Sequence, residues 1–476
     1  MESIKQISTN QSNEIKDEVF TQTNQGFFSK LDPKDPRILD TIARQYGNKI
    51  MGLQNETKTL ICCLLSKNLP KQYRMSVIIS NQSSTGKSYL LNTVLEPFRI
   101  PNNQLSNPII DYTDFTEAHF KRSQTDVDGK IIKIEQLERR DEKGLLSLQK
   151  LKHLLSEGRL KFGNVDNNID GTRSPKDFEI TGTPVIVTTT TEFKIDSETA
   201  NRFLMMQLDE SEEQTGRIIN YTLQQYSSIR NNTHENSVEE LRNLFLHYKE
   251  LAHHMDEIVI PFAEKIYKVI PRTLEMRRDL KKILNLTCVI AFVHASHRDR
   301  FVSKKPKHFF TGEGIESKPE NTYIIVARPD DLKIALEIAG GSIRQTINKS
   351  SQKLMEIDFI LRELFNKKQL DSEGITVKEI SEKSGLSDNR AREHLNDLCE
   401  KGYAGKDTSN KIHTYYPKEK KFSELEISEI EYSKTEYDEW VSSQLKLDEQ
   451  YSFVPSCYET EQTIIEATSS SMTPIA

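Results

Sequence analysis

Apolar and polar positions along the chain predict helices and strands that follow one another in turn. Apolar residues at helical spacing predict two short helices within residues 36–69, before the buried strand SVIIS of residues 76–80. The helix KSYLLNTVLEPF begins soon after this strand and is expected to end at Pro97. Continuous apolar strands that alternate with helices are typical of a mainly parallel sheet covered on both faces. The predicted fold class is therefore α/β.

The same alternation continues through residues 130–193. The apolar strand in GKIIKIEQLER runs into acidic residues, and the helix LLSLQKLKHLLSEG is expected to close at Gly158. Two extended arms around a Gly/Asn/Asp-rich turn predict a long β-hairpin over residues 159–182. TPVIVTTTTEF then predicts another buried strand.

The later part of the chain changes character. Residues 235–300 have a helical pattern, residues 301–322 form a polar insertion, and a short strand then leads into a further helix. Residues 351–417 read as three helices followed by a β-wing. SEKSGLSDNRAREHL predicts a helix-turn-helix with Gly385 at the turn. Its third helix offers three polar side chains to a DNA groove: Asn389, Arg390 and Arg392. Contact with another protein is the alternative use of such a domain.

Charge is distributed unevenly. The chain of 476 residues has a net charge of −6, but residues 422–476 hold 12 Asp/Glu and 2 Lys/Arg. The remainder is therefore mildly basic, which is compatible with a nucleic-acid partner, and the acidic tail is predicted to be disordered. No apolar run approaches 18 residues and the five cysteines show no C-x-x-C spacing, so we expect a soluble cytoplasmic protein without a zinc site, disulfides or membrane contact.

The segment NQSSTGKS, residues 81–88, has the chemistry of a phosphate-binding loop between a strand and a helix. Lys87 is expected to reach the β- and γ-phosphates of ATP, and the Ser88 hydroxyl to bind Mg²⁺. Asn81 stands where such loops usually carry glycine, and asparagine tolerates positive φ better than most residues. The predicted nucleotide-binding residues are Asn81, Ser84, Thr85, Gly86, Lys87, Ser88 and Tyr89.

A P-loop ATPase also needs carboxylates at the end of a second strand, and IIKIEQLER supplies them. Glu135 could hold the metal. The next position, which usually polarises the attacking water, is Gln136, and an amide can orient water but cannot take its proton. Glu138 could substitute if the end of the strand shifts slightly in register. ATP binding is therefore better supported than ATP hydrolysis.

With both segments placed, the chain resembles the minichromosome maintenance (MCM) helicases, AAA+ ATPases that carry a pre-sensor-1 hairpin. The resemblance covers residues 36–350 and includes Tyr46-Gly47 in IARQYGNKIMGL, KIEQLER, VIVTTTT, ETANRFLMMQLDE and PRTLEMRRDL. The chain is also similar to the helicase halves of archaeal mobile-element primase–helicases. The resemblance implies a sensor-1 residue at Thr189 or Thr190, an arginine finger at Arg202, and a second sensor arginine at Arg278 or, less favoured, Arg277.

The resemblance further implies ATP and Mg²⁺ as cofactors and a homo-oligomeric, hexameric ring around single-stranded DNA. The hairpin would project into the ring channel, with Lys161 and Arg173 flanking its tip and gripping DNA. We recognise no counterpart of the family's N-terminal oligonucleotide-binding region, so a partner such as a primase is expected. The division that follows is a disordered tail at 1–35, an AAA+ core at 36–230, a helical lid with the sensor-2 region at 231–350, a winged helix at 351–421, and an acidic disordered tail at 422–476.

Two other functions are compatible with the sequence. A non-motor switch would bind ATP, hydrolyse it weakly or not at all, and hold an oligomer on DNA as an origin binder, loader or plasmid regulator; Gln136 favours it. An enhancer-dependent transcription activator is disfavoured, because the hairpin region lacks the Gly-Ala-Phe-Thr-Gly-Ala loop of that class.

Overall fold

The structure is a computed structural model of the chain. It describes the following residues: 31–47, 49–82, 85–100, 107–112, 126–135, 148–167, 173–191, 197–227, 234–267, 270, 274–303, 308–311, 314–317, 322–348, 352–368, 374–409, 413–419, 432–447 and 450–456.

A parallel five-stranded sheet forms the centre of the N-terminal region. Its strands are β1 (Ser76–Ser80), β2 (Ile109–Tyr112), β3 (Ile131–Ile134), β6 (Val185–Thr190) and β7 (Phe203–Met206). They lie in the order β2-β3-β6-β1-β7. β1, β3 and β6 are buried along their whole length, as expected of strands covered on both faces. The predicted α/β fold class with a parallel sheet is confirmed.

Helices cover both faces of this sheet. On one face pack α1 (Ile38–Tyr46), α2 (Gln54–Leu65) and α3 (Lys87–Leu95), and on the other α4 (Leu148–Glu157). Val187 of β6 belongs to the core on the first face and Ile186 to the core on the second, as the period of two in a strand requires. Helix α5 (Ser197–Arg202) leads into β7, and α6 (Glu212–Ser227) follows that strand.

The predicted hairpin consists of β4 (Arg159–Asn167) and β5 (Arg173–Thr181), which pair antiparallel along nine residues each. At about 3.4 Å per residue it is roughly 30 Å long. Arg173 pairs with Asn167 at the distal end, as predicted. Lys161 pairs with Glu179 on the third rung from the base, so its predicted position beside the tip was wrong.

Residues 234–348 are more mixed than the helical lid predicted from sequence. Helices α7 (His234–His253), α8 (Ala263–Ile266), α9 (Leu274–Val293) and α10 (Pro329–Asn348) are joined by β8 (Met255–Val259), β9 (Arg300–Ser303) and β12 (Tyr323–Val326). A separate hairpin consists of β10 (His308–Thr311) and β11 (Gly314–Ser317). β12 is the short strand predicted before the last of these helices, whereas β8 and β9 were not predicted, since strands of four or five residues carry too little alternation to stand out within a helical pattern.

Part of the acidic tail is folded, which corrects the prediction that it is disordered. Helix α14 (Lys434–Leu447) leads to β16 (Tyr451–Val454), which pairs antiparallel with β9 and completes a four-stranded sheet in the order β16-β9-β12-β8. Trp440 of α14 packs edge-on against Phe301, with ring centroids 5.8 Å apart. Aromatic burial of this kind offsets the cost of ordering an acidic segment.

A buried carboxylate fastens this C-terminal segment at two points. Asp299 accepts a hydrogen bond from the Tyr437 hydroxyl at 2.5 Å and one from the Ser456 amide at 2.7 Å. Arg328 donates to the Ser456 hydroxyl at 2.8 Å and lies 3.5 Å from the Asp299 carboxylate. The segment therefore returns to residues 255–328 after the winged helix and is held there by polar as well as apolar contacts.

The C-terminal unit has the predicted winged-helix architecture and its own core. It consists of α11 (Gln352–Lys367), β13 (Ile375–Thr376), α12 (Val377–Ser384), α13 (Asp388–Glu400), β14 (Ala404–Asp407) and β15 (Thr414–Pro417). A capping box between Thr376 and Glu379 starts α12, and Gly385 ends it with a left-handed φ of 67°. No helix among the described residues is long and apolar enough to cross a membrane.

Candidate nucleotide and nucleic-acid sites

The described residues of the turn between β1 and α3, which exclude residues 83 and 84, join a strand to a helix N-terminus, as a phosphate-binding loop does. Gly86 precedes α3 with a left-handed φ of 82°, a conformation that glycine adopts without strain. The Lys87 ammonium lies inside the loop, where it donates to the carbonyl of Asn81 at 2.8 Å and to that of Gln82. Burial lowers the pKa of Lys87, and the Glu210 carboxylate opposes this shift. The loop thus holds a cation at the N-terminus of a helix, where phosphates bind.

Asn81 has a role that its sequence position did not reveal. Its side-chain amide donates to the Leu208 carbonyl at 3.0 Å and to Glu210 at 2.8 Å, and its oxygen accepts from the Leu208 amide at 2.7 Å. Glu210 also accepts from the Gln82 amide at 3.2 Å. The side chain therefore joins the start of the loop to the residues after β7, a tie that glycine could not make. Glu210 was missed from sequence, and its position just after a strand was the available signal.

Polar residues of β3 and β6 lie at the same edge of the sheet as the loop. Ile79 pairs with Thr189, and Ile134 pairs with Thr188. Glu135 and Thr189 therefore lie at the same height in the sheet as the C-terminal end of β1. The Thr189 hydroxyl donates to the Glu135 carbonyl. Thr189 shares the sheet face of Val187, against which α3 packs, whereas Thr190 is on the other face. Thr189 is thus the better placed of the two sensor-1 candidates.

The residues assigned to Mg²⁺ fit a metal in their chemistry. Ser88 is exposed in the first turn of α3, and Glu135 is partly exposed at the end of β3, so both can present oxygen ligands. Gln136 and Glu138, the candidates for orienting water, lie outside the described residues, as does Ser84. Thr85 donates from its hydroxyl to the Gln82 carbonyl at 3.0 Å, and Tyr89 is 57% exposed beside the loop.

Arg202 lies at the opposite edge of the sheet from the candidate phosphate-binding loop. The next residue, Phe203, pairs with Ser76, the first residue of β1, whereas the loop follows the last residue, Ser80. Four residues of strand separate these levels, which is about 13 Å. Arg202 also donates to the Ser156 hydroxyl of α4 at 2.8 Å. Its side chain is therefore directed away from the turn that holds Lys87.

The second sensor candidates lie in the first turns of α9. Arg277 is exposed, and the side chain of Arg278 lies outside the described part of the chain. Asp279, the next residue, is 1% exposed and pairs with Lys282 at 2.8 Å. The choice between the two arginines stays a prediction.

Two glycines precede the loop, and they differ in backbone conformation. Gly52 has a positive φ, which favours glycine, whereas Gly47 does not. Gly52 has a φ of 71°, and a Cβ there would lie 1.9 Å from the Gln214 side-chain oxygen. Gln214 is buried and its amide donates to the Met51 carbonyl at 2.6 Å, which fixes the start of α6 against this turn. Gly47 has a helical φ of −58°, and Tyr46 beside it donates to the Val94 carbonyl at 3.3 Å.

We expect Gly52→Ala to destabilise the protein by about 2 kcal/mol or more, because the new methyl group adds a clash to an unfavourable φ. Urea unfolding of both variants measures this cost, with Gly47→Ala as the matched control. A Gly52→Ala loss no larger than that of Gly47→Ala would show that Gln214 moves aside freely.

The winged helix presents its predicted recognition residues to solvent. Asn389, Arg390 and Arg392 are all exposed on α13. On the wing, Lys406 lies over the Tyr415 ring at 5.6 Å, but Tyr415 itself is buried and donates to Asn396 at 3.2 Å. Tyr415 is therefore part of the domain core, whereas Tyr416, among the described residues of the wing, is exposed.

The C-terminal unit matches the model of a known domain family. The family model for winged helix-turn-helix DNA-binding domains matches residues 346–404. No curated protein sequence matches the chain significantly.

Two solved structures resemble the chain, with low TM-scores and low sequence identities. A full-length MCM homolog from Methanopyrus kandleri has a TM-score of 0.31 and 16% identity, over 63% of this chain and 57% of that one. The SCCmec type IV Cch active helicase has a TM-score of 0.33 and 11% identity, over 83% of this chain and 74% of that one. The chain thus spans less than two thirds of the length of the MCM homolog.

Proposed function

We propose that the chain is an ATP-dependent DNA helicase or translocase of the MCM-like AAA+ type that acts in DNA replication. The observation that carries this proposal is the Lys87 ammonium, held by loop carbonyls where a strand meets a helix N-terminus. A cation in that position is available to the β- and γ-phosphates of ATP when they enter the loop. The winged helix in the same chain favours DNA as the substrate on which ATP is used.

The residues at the carboxyl edge of the sheet would each have a role in phosphoryl transfer. Ser88 and Glu135 would hold Mg²⁺, which neutralises charge on the phosphates. Thr189 fixes the Glu135 backbone and would help to position the attacking water, which Gln136 or Glu138 would address.

A ring explains the position of Arg202. Since this side chain is directed away from its own loop, an arginine finger here must act on the nucleotide of a neighbouring subunit. The neighbour would also account for α6, which is mostly exposed and carries an apolar stripe: Ile218, Ile219, Leu223 and Tyr226. We propose that a second copy of the chain covers it.

Charging the apolar stripe is expected to dissociate the ring. Ile219→Lys with Leu223→Lys should shift the protein to monomers in light scattering with ATP and Mg²⁺ present, because two lysines would be buried against the neighbour. Gln224→Lys, on the opposite side of α6, is the control and should leave the assembly intact. An unchanged assembly in the double variant would remove α6 from the interface.

The DNA-facing elements would be the β4–β5 hairpin and the winged helix. Arg173, at the distal end of the hairpin, and Lys161, near its base, would contact phosphates of single-stranded DNA in the ring channel. Asn389, Arg390 and Arg392 would contact duplex DNA.

The second candidate is an ATP-binding switch without motor activity, which Gln136 favours because an amide is no general base. Unwinding of a forked duplex by the full chain with ATP and Mg²⁺ distinguishes the two. Strand separation that requires hydrolysable ATP supports the helicase. Binding to the fork without separation, equal with ATP and a non-hydrolysable analogue, supports the switch.

A further inference from the structure

A group of cationic side chains lies around a buried lysine, away from the nucleotide loop. Lys67 belongs to the short 3-10 turn Ser66–Asn68 that follows α2, and its ammonium donates to the Asn68 side chain at 2.9 Å. The residue is 9% exposed. The turn packs against α7, which carries Lys249, and Arg74, just before β1, donates to the Leu69 carbonyl at 2.9 Å beside the turn. The charges of Lys249 and Arg74 both act on Lys67.

This arrangement is electrostatically unfavourable as it stands. Burial, and then the charges of Lys249 and Arg74, lower the pKa of Lys67 to about 8. Asp128 neutralises Arg74 through two hydrogen bonds, at 2.6 and 2.9 Å. Lys67 has no such partner, since no carboxylate among the described residues forms an ion pair with it. A concentration of positive charge with a low-dielectric floor attracts anions.

The group adjoins the base of the β4–β5 hairpin. Gly158 is the residue between α4 and β4, and a Cβ added there would lie 3.0 Å from the Lys71 ammonium. Lys71 is exposed, and its charge also acts on Asp128. Beyond Gly158, Arg159 and Lys161 are exposed on the first rungs of the hairpin. Basic side chains therefore continue from Lys249 at one end to the hairpin at the other, where the Lys161 ammonium also lies 3.7 Å from the Glu179 carboxylate.

We propose that Lys67, Lys71 and Lys249 form a phosphate-binding surface for the backbone of single-stranded nucleic acid that reaches the hairpin. Continuity with the hairpin selects nucleic acid over a free phosphate ion. The surface reads no bases, because lysines contact phosphates without sequence information. This inference rests on the proposed function in that DNA is the expected ligand.

The test is the salt dependence of binding to a dT oligonucleotide, with a non-hydrolysable ATP analogue and Mg²⁺ present. Each phosphate contact removed should reduce the slope of log K against log salt by about 0.7. Lys67→Met and Lys249→Ser should each show this reduction, and the double variant about twice as much. Lys333→Ser, at an exposed position of α10, is the control and should keep the wild-type slope.

Stability separates a folding defect from a lost contact. Lys67→Met removes a buried charge, so it should raise the melting temperature near neutral pH. The folded pKa of Lys67 lies below its ordinary value of 10.5, so this gain should fade as the pH rises from about 8 past 10.5. Lys249→Ser changes an exposed residue and tests the surface without this effect.

The outcomes are distinct. Wild-type protein that does not bind the oligonucleotide overturns the proposed DNA function and this inference with it. Wild-type binding with unchanged slopes in both variants overturns this inference alone. Tripolyphosphate tests the remaining outcome. If the slopes are unchanged and tripolyphosphate raises the melting temperature of the wild type but not of Lys67→Met, the surface binds free phosphates and the nucleic-acid assignment is overturned.

Discussion

Arg202→Ala is expected to lower ATP turnover by about 10³-fold or more while nucleotide binding stays close to that of the wild type. The reason is that an arginine finger stabilises charge that develops in the transition state, whereas Lys87 holds the phosphates in the ground state as well. Steady-state hydrolysis and equilibrium binding of a fluorescent ATP analogue measure the two effects separately. A parallel loss of binding would place Arg202 in the structure of the loop instead.

Mixing variants tests whether Arg202 acts on a neighbour. Arg202→Ala subunits retain a complete loop, and Lys87→Ala subunits retain the finger. Mixed rings therefore contain some interfaces with both groups, and turnover should recover above that of either variant alone. Recovery would not occur if Arg202 acted within its own subunit, because no subunit would then carry both residues. The register of β1 with β7, which separates Arg202 from the loop by about 13 Å, predicts recovery.

Asp299→Ala is expected to destabilise the protein by about 3 kcal/mol and to release residues 432–456. The substitution leaves the Ser456 amide and the Tyr437 hydroxyl without their acceptor in a buried site. Urea unfolding measures the free energy, and limited proteolysis reports the release of the segment. Tyr437→Phe removes one of the two bonds and should cost about 1 kcal/mol.

A matched control is available on the surface. Asp330 is exposed and pairs with Lys333 at 3.4 Å, so Asp330→Ala should change the free energy of unfolding by less than about 0.5 kcal/mol. Equal effects of Asp299→Ala and Asp330→Ala would mean that the aromatic contacts of Trp440 hold the segment without help from the carboxylate.

The sequence predicted well those elements whose pattern is local. SVIIS and VIVTTTT are continuous apolar runs, and both are buried strands of the central sheet. The helix-turn-helix was predicted from a glycine between two amphipathic segments, and Gly385 indeed has a left-handed φ. In each case a few neighbouring residues determine the structure.

The folded C-terminal segment could not be predicted in the same way. Its apolar residues are few, and its charge is typical of a disordered tail. Its order depends on partners far away in sequence, since Tyr437 bonds Asp299 and β16 pairs with β9. Likewise, Asn81 was interpreted through its backbone tolerance, whereas its side chain bonds Leu208 and Glu210 from the far end of the core. Long-range pairings of this kind leave no signal in the local pattern.

The central claim is that the loop around Lys87 hydrolyses ATP in response to DNA. Its most direct test is steady-state ATP hydrolysis with and without single-stranded DNA, for the wild type and Lys87→Ala. The account predicts turnover that DNA stimulates and that Lys87→Ala abolishes, since the variant loses the cation held by the loop. Tight nucleotide binding with turnover no faster than that of Lys87→Ala, with or without DNA, would contradict it and leave an ATP-dependent DNA-binding switch.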